Sequence, residues 1–349
     1  DKLNYGAFIM DIFSSKPPDF GLSEIKNIVY EKFGLEVEVK ILDSDRDQNF
    51  YLYDKKQNDR FVLKIFNSVE SLDIINMQTN VLEHFQVNKS RTIRTPKIIK
   101  ALDGQKFICI KRNNQKYILR LVSYIIGDQL KDIKQKDISY FRIGSFIGDL
   151  ASILQSFSGK YYDRVFPWDI SNIDFLHDNH SLFSDQNKEN IIIHFMNEYE
   201  KNVDPNKQFL RKSIIHNDCN DHNIIVRNQS ETIGVIDFGD IVHSYIVVEP
   251  AVCIAYAVLG KKNPFEIVCD ILRGYCNSNQ LSEVELKLVI YFVCIRLCIS
   301  VTMAKFRSQL FPENEYLMVS NIKAWEFLQF MFYEDLGSWS NKVLQNVRK

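Results

Sequence analysis

The amino-acid sequence predicts an α+β protein of two lobes, a small antiparallel β-sheet lobe followed by a mostly helical lobe. Short runs in which apolar residues alternate with charged ones, separated by turns, fill most of the region between residues 37 and 125. Beyond residue 140 the apolar residues instead recur at the spacing of buried helix faces. We therefore expect residues 1–125 to form the first lobe and residues 126–349 to form the second.

The composition is that of a folded protein without a polyanionic partner. Its 349 residues, 46% hydrophobic and 25% charged, suffice for one large or two packed globular domains. The 43 basic and 44 acidic residues nearly cancel, so there is no electrostatic reason to expect binding to nucleic acid or to an anionic membrane. Seven cysteines without a CxxC pair indicate reduced thiols and a cytoplasmic location. The apolar residues 5–13 lack a basic leader and a cleavage site, so no signal peptide is predicted.

The first lobe is predicted to begin with a helix that Ser23 caps and Gly34 ends. A second helix, residues 72–85, has apolar residues at helical spacing. The alternating pattern predicts strands, with turns at 57–59, 103–104 and 113–114, over residues 37–41, 49–53, 60–66, 96–101, 107–111 and 117–125.

Lys64 lies in the third predicted strand, on the same face as Val62 and Phe66. A lysine among apolar strand residues needs a partner, because burying an unpaired charge is costly. The alternative is an edge-strand lysine whose ammonium group reaches water. The preceding loop, residues 42–50, has no glycine, yet its backbone amides could still cradle a phosphate, and Arg46 could add positive charge.

The second lobe contains one run, residues 288–304, that is apolar enough to raise a membrane span as an alternative. A buried core helix explains it better, since Arg296 interrupts the run and Ser282 with Glu285 forms a capping box in front of it. Helical spacing predicts the helices of this lobe at residues 140–157, 187–201, 245–259, 264–276, 282–306 and 316–333.

Residues 214–240, IIHNDCNDHNIIVRNQSETIGVIDFGD, are the stretch suited to chemistry. The pattern HxDxxxxN, then a short hairpin and DFG, is typical of phosphoryl transfer, in which the protein positions a hydroxyl group and neutralises charge through magnesium. Asp218 would accept the hydroxyl proton, Asn223 and Asp237 would bind the metal, and His216 would support the loop. The alternative is a polar loop between strands, but the fixed offsets and the following DFG make a chance match rare.

This stretch resembles the catalytic core of the aminoglycoside phosphotransferase and choline kinase family of small-molecule kinases, which have a protein-kinase-like fold. Within the family, HNDCNDHNIIV, GVIDFGDIVHS and the SDRDQNF that precedes VLKI are most similar to the hydroxylysine kinase branch. The resemblance implies that Lys64 holds the nucleotide phosphates. It also implies that Val122, Ser123 and Tyr124 contact the purine.

Two further expectations come from the resemblance. A glutamate usually pairs with the strand lysine of such kinases; Gln78 is at the matching place in QTNVLEHF, with Glu83 as the alternative. Glu249, in VVEPAVCIAYAV, is expected to support the catalytic loop. The simpler alternative for Glu249 is a first-turn acid that interacts with its helix dipole.

Trp168, Asp169, Asp221 and Asp240 are predicted to recognise the acceptor. An aromatic face together with carboxylates favours an ammonium group. Related kinases carry a similar Trp-Asp pair. The alternative for this pair is a packing tryptophan followed by a helix-capping aspartate.

The sequence thus predicts a kinase that transfers the γ-phosphate of ATP or GTP, with Mg²⁺, to a hydroxyl group of an amino alcohol or hydroxy amino acid. The resemblance puts 5-hydroxylysine first, with choline, homoserine or an aminoglycoside as alternatives. A nucleotide-binding pseudokinase scaffold is the alternative from another class, and the intact set Lys64, Asp218, Asn223 and Asp237 argues against it. The expected partners are the nucleotide and a small-molecule acceptor, without nucleic acid or membrane, and the oligomeric state is left open.

Overall fold

A computed structural model describes residues 15–44, 46–88, 90, 92–162, 164, 166–227, 232–310 and 321–348. The apolar residues 5–13 and the start of the last predicted helix lie outside these ranges. The described residues form two compact units, the first ending at Ile126 and the second beginning at Gly127, with Thr92 and Ile93 belonging to the second. The first unit is built on an antiparallel sheet and the second is mostly helical, which confirms the predicted fold class.

The antiparallel sheet is the centre of the first unit. Lys64 lies opposite Asn49 on one neighbouring strand and opposite Arg120 on the other. The predicted strand at 96–101 shrinks to two residues. Among the described residues the strand order is Val37–Leu42, Gln48–Asp54, Asp59–Ile65, Gln115–Ser123 and Ile98–Ile99, with Ile108–Arg112 also paired to Gln115–Ser123.

The first unit also contains the helices Leu22–Phe33 and Leu72–Val87. The prediction that Ser23 caps the first helix was wrong. The extended backbone of an N-cap occurs at Gly21 (φ −79°, ψ 154°), without a side-chain cap, and Ser23 lies inside the first turn. Gly34 ends this helix as predicted, in the left-handed conformation (φ 70°).

Helices make up most of the second unit. The prediction of a helix from residue 245 was wrong at its start, because Val242–Tyr245 is a strand paired with Lys212–Ile215 and the helix begins at Val248. The last helix of the chain was not predicted. Within the described part of this unit the α-helices are Tyr140–Gln155, Asp174–Asn179, Gln186–Asn202, Val248–Ala257, Pro264–Ser278, Glu283–Leu310, Asn321–Phe332 and Leu336–Val347.

A short hairpin precedes the DFG residues of the second unit. Ile224–Val226 pairs antiparallel with Ile233–Val235, and Asp128–Gln129 pairs with Ile224–Val226 at its other edge. Gly127 allows this close approach, since a Cβ there would lie 2.7 Å from the carbonyl oxygen of Val226. The hairpin therefore carries the chain from the HxDxxxxN residues to the DFG residues.

The helix Glu283–Leu310 is the core helix of the second unit. It is the one helix of the described chain long and apolar enough to span a membrane, but 89% of its most apolar window is buried inside the protein, which fits the predicted core helix. The capping box is confirmed: the Glu285 carboxylate accepts the N–H of Ser282 at 2.7 Å, and Ser282 Oγ accepts the N–H of Glu285 at 3.2 Å.

Two helices of the second unit pack through glycines. A Cβ at Gly144 would lie 2.0 Å from the carbonyl oxygen of Ile271, and a Cβ at Gly274 would lie 1.9 Å from that of Phe141. The two helix backbones, Tyr140–Gln155 and Pro264–Ser278, are therefore in direct contact. A larger side chain at either glycine would force them apart.

Candidate active site

The catalytic-type residues of the second unit lie on two segments that backbone geometry and hydrogen bonds bring together. Asn217 and Asp237 both have left-handed backbones, with φ of 65° and 57°. His216 ties the segments to each other, because its Nε2 donates to the carbonyl oxygen of Ile236 at 3.1 Å. Positive φ at non-glycine residues often marks functional sites.

Asp218 is held by three side chains. Its Oδ1 accepts hydrogen bonds from Arg296 Nη2 at 2.9 Å and from Asn220 Nδ2 at 2.9 Å. Its Oδ2 accepts one from Asn223 Nδ2 at 2.6 Å. Since each carboxylate oxygen offers about two lone pairs, Oδ1 is fully used while Oδ2 can accept one more hydrogen bond.

The electrostatics of Asp218 are dominated by burial and by neighbouring carboxylates. Burial raises the pKa of Asp218 well above its usual value, and the charges of Asp240 and Asp237 raise it further, whereas the Arg296 guanidinium opposes them. Three carboxylates and two arginines therefore share this region, since Arg164 donates to the carbonyl oxygen of Gly239 at 2.9 Å. It is net negative and suited to a cation.

Arg296, which was not among the predicted site residues, contacts Asp218 directly. It is fully buried in the core helix, where Nη1 donates to the carbonyl oxygen of Trp168 at 3.1 Å and Nε donates to Tyr256 Oη at 3.2 Å. Its guanidinium also lies 4.5 Å from the centroid of the Trp168 ring. The signal was present, because an arginine inside an apolar helix needs a counter-charge, and Asp218 supplies it.

His216 supports the loop as a neutral imidazole. Its backbone N–H donates to Glu249 Oε2 at 2.5 Å, and its Nδ1 accepts the backbone N–H of Asp218 at 3.3 Å, so the ring proton is on Nε2. Burial lowers the pKa of His216 to about 4. Cys219 and Glu249 offer ligand atoms within 4.8 Å of one another and of His216, but both imidazole nitrogens are already used, which argues against a metal there.

Glu249 is fully buried beneath the loop. Burial raises its pKa to about 7, while the hydrogen bond from the backbone of His216 opposes that shift. Asn217 continues the same support, since its Nδ2 donates to the carbonyl oxygen of Trp168 at 3.3 Å. These contacts go beyond the helix-dipole alternative for Glu249, because its carboxylate bonds the loop directly.

The donor set near the DFG residues fits a hard divalent cation. Asn223 spends its amide protons on Asp218, which leaves its carbonyl oxygen Oδ1 for another ligand. Asp237 is exposed, and its Oδ1 accepts the N–H of Gly239 at 3.2 Å. Together with Asp240 these are oxygen donors of the kind that Mg²⁺ or Ca²⁺ prefers.

The residues predicted to recognise the acceptor differ in their surroundings. Asp169 is buried and accepts hydrogen bonds from Ser244 Oγ at 2.6 Å and from the N–H of Ser171 at 3.0 Å. These contacts favour the structural interpretation of Asp169 over substrate binding. Trp168 has its ring beside Arg296, so that side is not open to an acceptor ammonium group.

Asp221 has different charged neighbours from Asp218. Burial raises the pKa of Asp221, and the opposing charges come from His222 and Lys131 rather than from Arg296. Its carbonyl oxygen accepts the N–H of Lys131 at 3.1 Å. Of the predicted acceptor residues, Asp240 is the one whose charge acts on Asp218 most strongly.

In the first unit Lys64 has a carboxylate partner that the sequence interpretation did not name. Lys64 Nζ lies 2.8 Å from Asp47 Oδ2. Of the two residues proposed as partners, Glu83 pairs with Lys106 at 2.6 Å, and Gln78 Oε1 accepts a hydrogen bond from Arg120 at 3.4 Å. The carboxylate therefore comes from the loop before the second strand. The residue pattern of the helix, from which Gln78 and Glu83 were predicted, contains no information about this loop.

The predicted purine-binding segment is already part of the sheet. The N–H of Ser123 donates to the carbonyl oxygen of Lys97 at 2.9 Å, and the N–H of Tyr124 donates to that of Arg60 at 3.0 Å. Val122 pairs with Val62 in the strand register. A base bound here would have to use other backbone groups than the amides of Ser123 and Tyr124.

Most of the chain matches one protein family. Residues 38–285 match the model of the phosphotransferase enzyme family, and the chain belongs to this family. Two curated relatives are hydroxylysine kinases. The one from Mus musculus is 27% identical over 348 residues, covering 93% of this chain and 92% of that protein, and the one from Bos taurus is 27% identical over 345 residues, covering 92% and 91%. The protein is thus a small-molecule kinase that phosphorylates a hydroxyl group.

Solved structures confirm the kinase-like fold. Amicoumacin kinase hAmiN, in complex with AMP-PNP, Ca²⁺ and Ami, has a TM-score of 0.66 at 12% identity, covering 93% of this chain and 94% of that one. A microcompartment-associated aminopropanol kinase has a TM-score of 0.65 at 12% identity, with the same coverage. At this identity the likeness concerns the fold.

Proposed function

We propose that the protein transfers the γ-phosphate of ATP or GTP to the hydroxyl group of 5-hydroxylysine. The observation that carries the proposal is the Asp218 carboxylate, which Arg296, Asn220 and Asn223 orient while Oδ2 can still accept a hydroxyl proton. The curated relatives that match over nine-tenths of both chains are hydroxylysine kinases, which supports this acceptor.

Asp218 acts as the general base in this proposal. The acceptor hydroxyl donates its hydrogen bond to Oδ2, and its oxygen forms a bond to the γ-phosphorus as the bond from that phosphorus to the β–γ bridging oxygen breaks. The proton passes to Asp218, and the nucleoside diphosphate leaves. His216 and Glu249 keep the loop in place during the step, since they bond its backbone rather than the reacting atoms.

Asn223 and Asp237 are the proposed ligands of Mg²⁺, with Asp240 as a further carboxylate nearby. When bound, the cation supplies positive charge that offsets the charge of the nucleotide phosphates. Lys64 in the first unit is the proposed phosphate ligand of the protein itself, and Arg46 is a second candidate. The seven free cysteines, six of them buried, support the expectation of a cytoplasmic enzyme.

Recognition of the acceptor rests on charge. Asp218, Asp237 and Asp240 supply three carboxylates. The cations beside them are Arg296 and Arg164, which donates to the carbonyl oxygen of Gly239 at 2.9 Å, so the carboxylates outnumber the arginines and a cationic acceptor is favoured. A paired ammonium group that loses its water is worth roughly a few kcal/mol, which selects charged over neutral alcohols by about tens to thousands of fold. Choline, homoserine and aminoglycosides meet the same charge rule and are the alternatives.

The test is nucleoside diphosphate release with ATP and with GTP across 5-hydroxylysine, choline, ethanolamine, homoserine, an aminoglycoside and a neutral sugar. We expect the highest kcat/KM with 5-hydroxylysine, and a loss of turnover of about a hundredfold or more in Asp218→Asn. Equal rates on charged and neutral acceptors would contradict the preference for an ammonium group. Near-normal turnover of Asp218→Asn would contradict the role of Asp218 as general base.

A further inference from the structure

The buried ion pair between Lys64 and Asp47 joins the third strand of the first unit to the loop before the second strand. Lys64 Nζ and Asp47 Oδ2 lie 2.8 Å apart, and the two side chains are only 11% and 10% exposed. Charge pairs so far from water are rare unless each member has a defined place. The geometry of both partners is accordingly fixed by further contacts.

Asp47 is held on its other oxygen as well. Its Oδ1 accepts the backbone N–H of Asn67 at 2.9 Å, and Asn67 Nδ2 donates to the carbonyl oxygen of Arg46 at 3.1 Å. Burial raises the pKa of Asp47, but the charges of Lys64 and Arg46 outweigh burial and lower this pKa below its usual value. The loop is therefore fastened to the end of the strand that carries the lysine, with an ionised carboxylate at the junction.

The helix Leu72–Val87 contributes neutral groups to the same region, and they hold a different cation. Thr79 Oγ1 accepts from Arg120 Nη1 at 3.1 Å, and Gln78 Oε1 accepts from Arg120 Nη2 at 3.4 Å. The Phe66 ring is shared by both cations, with its centroid 5.6 Å from Lys64 Nζ and 4.9 Å from the Arg120 guanidinium. The carboxylate that orients Lys64 has thus come from the loop, while the helix binds Arg120.

We propose that Asp47 is the positioning residue for Lys64, so that the ammonium group of the lysine is oriented toward the phosphates only when the Asp47 carboxylate is in place. This inference rests on the proposed function only in taking Lys64 as a nucleotide ligand. Nucleotide affinity would then depend on the Asp47 side chain, which acts on the nucleotide only through Lys64. This role requires no glycine in the loop, because the side-chain carboxylate of Asp47 orients Lys64.

The first test is the binding of ATP and of GTP, each with Mg²⁺, measured by calorimetry on Asp47→Asn in the full chain. We expect binding to weaken about tenfold or more, because the lysine loses the charge that orients it. The matched control is Glu83→Gln, which removes a carboxylate from the more exposed Lys106 pair of the same unit and should leave both affinities unchanged. Wild-type affinity in Asp47→Asn would overturn the proposal.

A double-mutant cycle with Lys64→Gln distinguishes positioning from a general loss of stability. If Asp47 acts through Lys64, Asp47→Asn should change nucleotide affinity little in the Lys64→Gln background, whereas two independent effects would add and overturn the proposal. Should Asp47→Asn not fold, Asp47→Glu takes its place, since its longer side chain keeps the charge but displaces it. A severalfold loss of affinity is then expected, and none would count against positioning.

Measurements of nucleotide binding and of phosphate transfer distinguish a failure of the Asp47 proposal from a failure of the proposed function. If the wild type binds nucleotide in an Asp47-dependent way but phosphorylates none of the acceptors, the acceptor assignment fails and the role of Asp47 stands. If the wild type phosphorylates 5-hydroxylysine and Asp47→Asn does so with unchanged nucleotide KM, the function stands and the role of Asp47 fails.

Discussion

Arg296 and Asp218 are 78 residues apart in sequence and form a buried ion pair at the candidate base. Arg296→Lys keeps the charge but not the planar set of donors that reaches Asp218, Trp168 and Tyr256 together. We expect turnover to fall by roughly tenfold to a hundredfold, as when a partner of a reacting group is lost. Steady-state kinetics measures this, with the exposed Arg273→Lys as control. Turnover within about twofold of wild type in Arg296→Lys would contradict the role of the arginine.

Asp237 is the residue at which metal dependence can be tested. We expect wild-type nucleotide affinity to be stronger with Mg²⁺ than without it, and Asp237→Ala to lose most of this difference, because its exposed carboxylate is the main fixed charge available to the cation. Calorimetry with and without Mg²⁺ gives the comparison. Asp270→Ala, at a half-buried carboxylate that pairs with Arg273, serves as control. A magnesium effect of full size in Asp237→Ala would show that the cation binds elsewhere.

His216 and Glu249 give opposite contributions to the pH dependence of stability. The pKa of His216 is about 4 in the fold against 6.5 ordinarily, so its contribution is complete above pH 6.5 and is lost as pH falls toward 4. The pKa of Glu249 is about 7 against 4.5, so its contribution is complete below pH 4.5 and is lost as pH rises toward 7. Between pH 4.5 and 6.5 the two nearly cancel.

Glu249→Gln should uncover the histidine contribution. The free energy of unfolding of this variant is expected to rise with pH from 4.5 to 6.5, whereas the contribution of the same pair in the wild type stays nearly flat. Urea unfolding at intervals of half a pH unit measures both curves. Parallel curves for variant and wild type would mean that Glu249 does not carry the raised pKa.

At the scale of elements, the contact between the helices Tyr140–Gln155 and Pro264–Ser278 depends on glycine. Gly274→Ala should destabilise the protein by roughly 2 kcal/mol or more, because its Cβ would lie 1.9 Å from a backbone oxygen that cannot move alone. Gly21→Ala is the control, since nothing lies within 4 Å of its Cβ. Thermal unfolding of both variants decides, and an equal effect at the two positions would refute the packing argument.

Elements with a strong hydrophobic periodicity could be predicted from the sequence. Short strands that form only by pairing with a distant strand could not. The core helix and its capping box were predictable from local pattern. The strand Val242–Tyr245 was not predicted, and its last residue was assigned to the following helix, because this strand forms only when Lys212–Ile215 pairs with it. The helix Leu336–Val347 was overlooked, although Asp335 caps it and Leu336, Trp339 and Val343 form a buried face at helical spacing.

At the scale of the whole molecule, the candidate site was predictable where it is compact in sequence. Residues 216–237 hold the proposed base and metal ligands together, so their spacing indicates the chemistry. The ion pairs of Arg296 and Asp47 were not predicted. Each residue meets its partner only in the folded chain, Arg296 from a distant helix and Asp47 from a loop. The hydrogen bond between Asp169 and Ser244 could not be predicted from the sequence, and a role of Asp169 in acceptor binding stays a prediction.

The distribution of thiols gives a test of the whole fold. Cys109 is exposed and the other six cysteines are buried. Burial raises the pKa of Cys219 well above its usual value, so even this neighbour of Asp218 should resist a thiol reagent. We expect an aromatic disulfide reagent to modify about one thiol in the native protein and all of them after denaturation. Cys109→Ser should remove the fast reaction, and rapid loss of more than one thiol in the native wild type would contradict the described packing.

The left-handed backbones of Asn217 and Asp237 have a consequence for how this protein can be made more heat-resistant. Each conformation costs roughly 1 kcal/mol or more, and glycine would relieve that cost. Glycine would also remove the amide that Asn217 donates to Trp168, or the carboxylate of Asp237. Selection for thermal tolerance alone would therefore drift toward glycine at these two positions and lose activity, so an engineer should hold both fixed and seek stability in the surface loops.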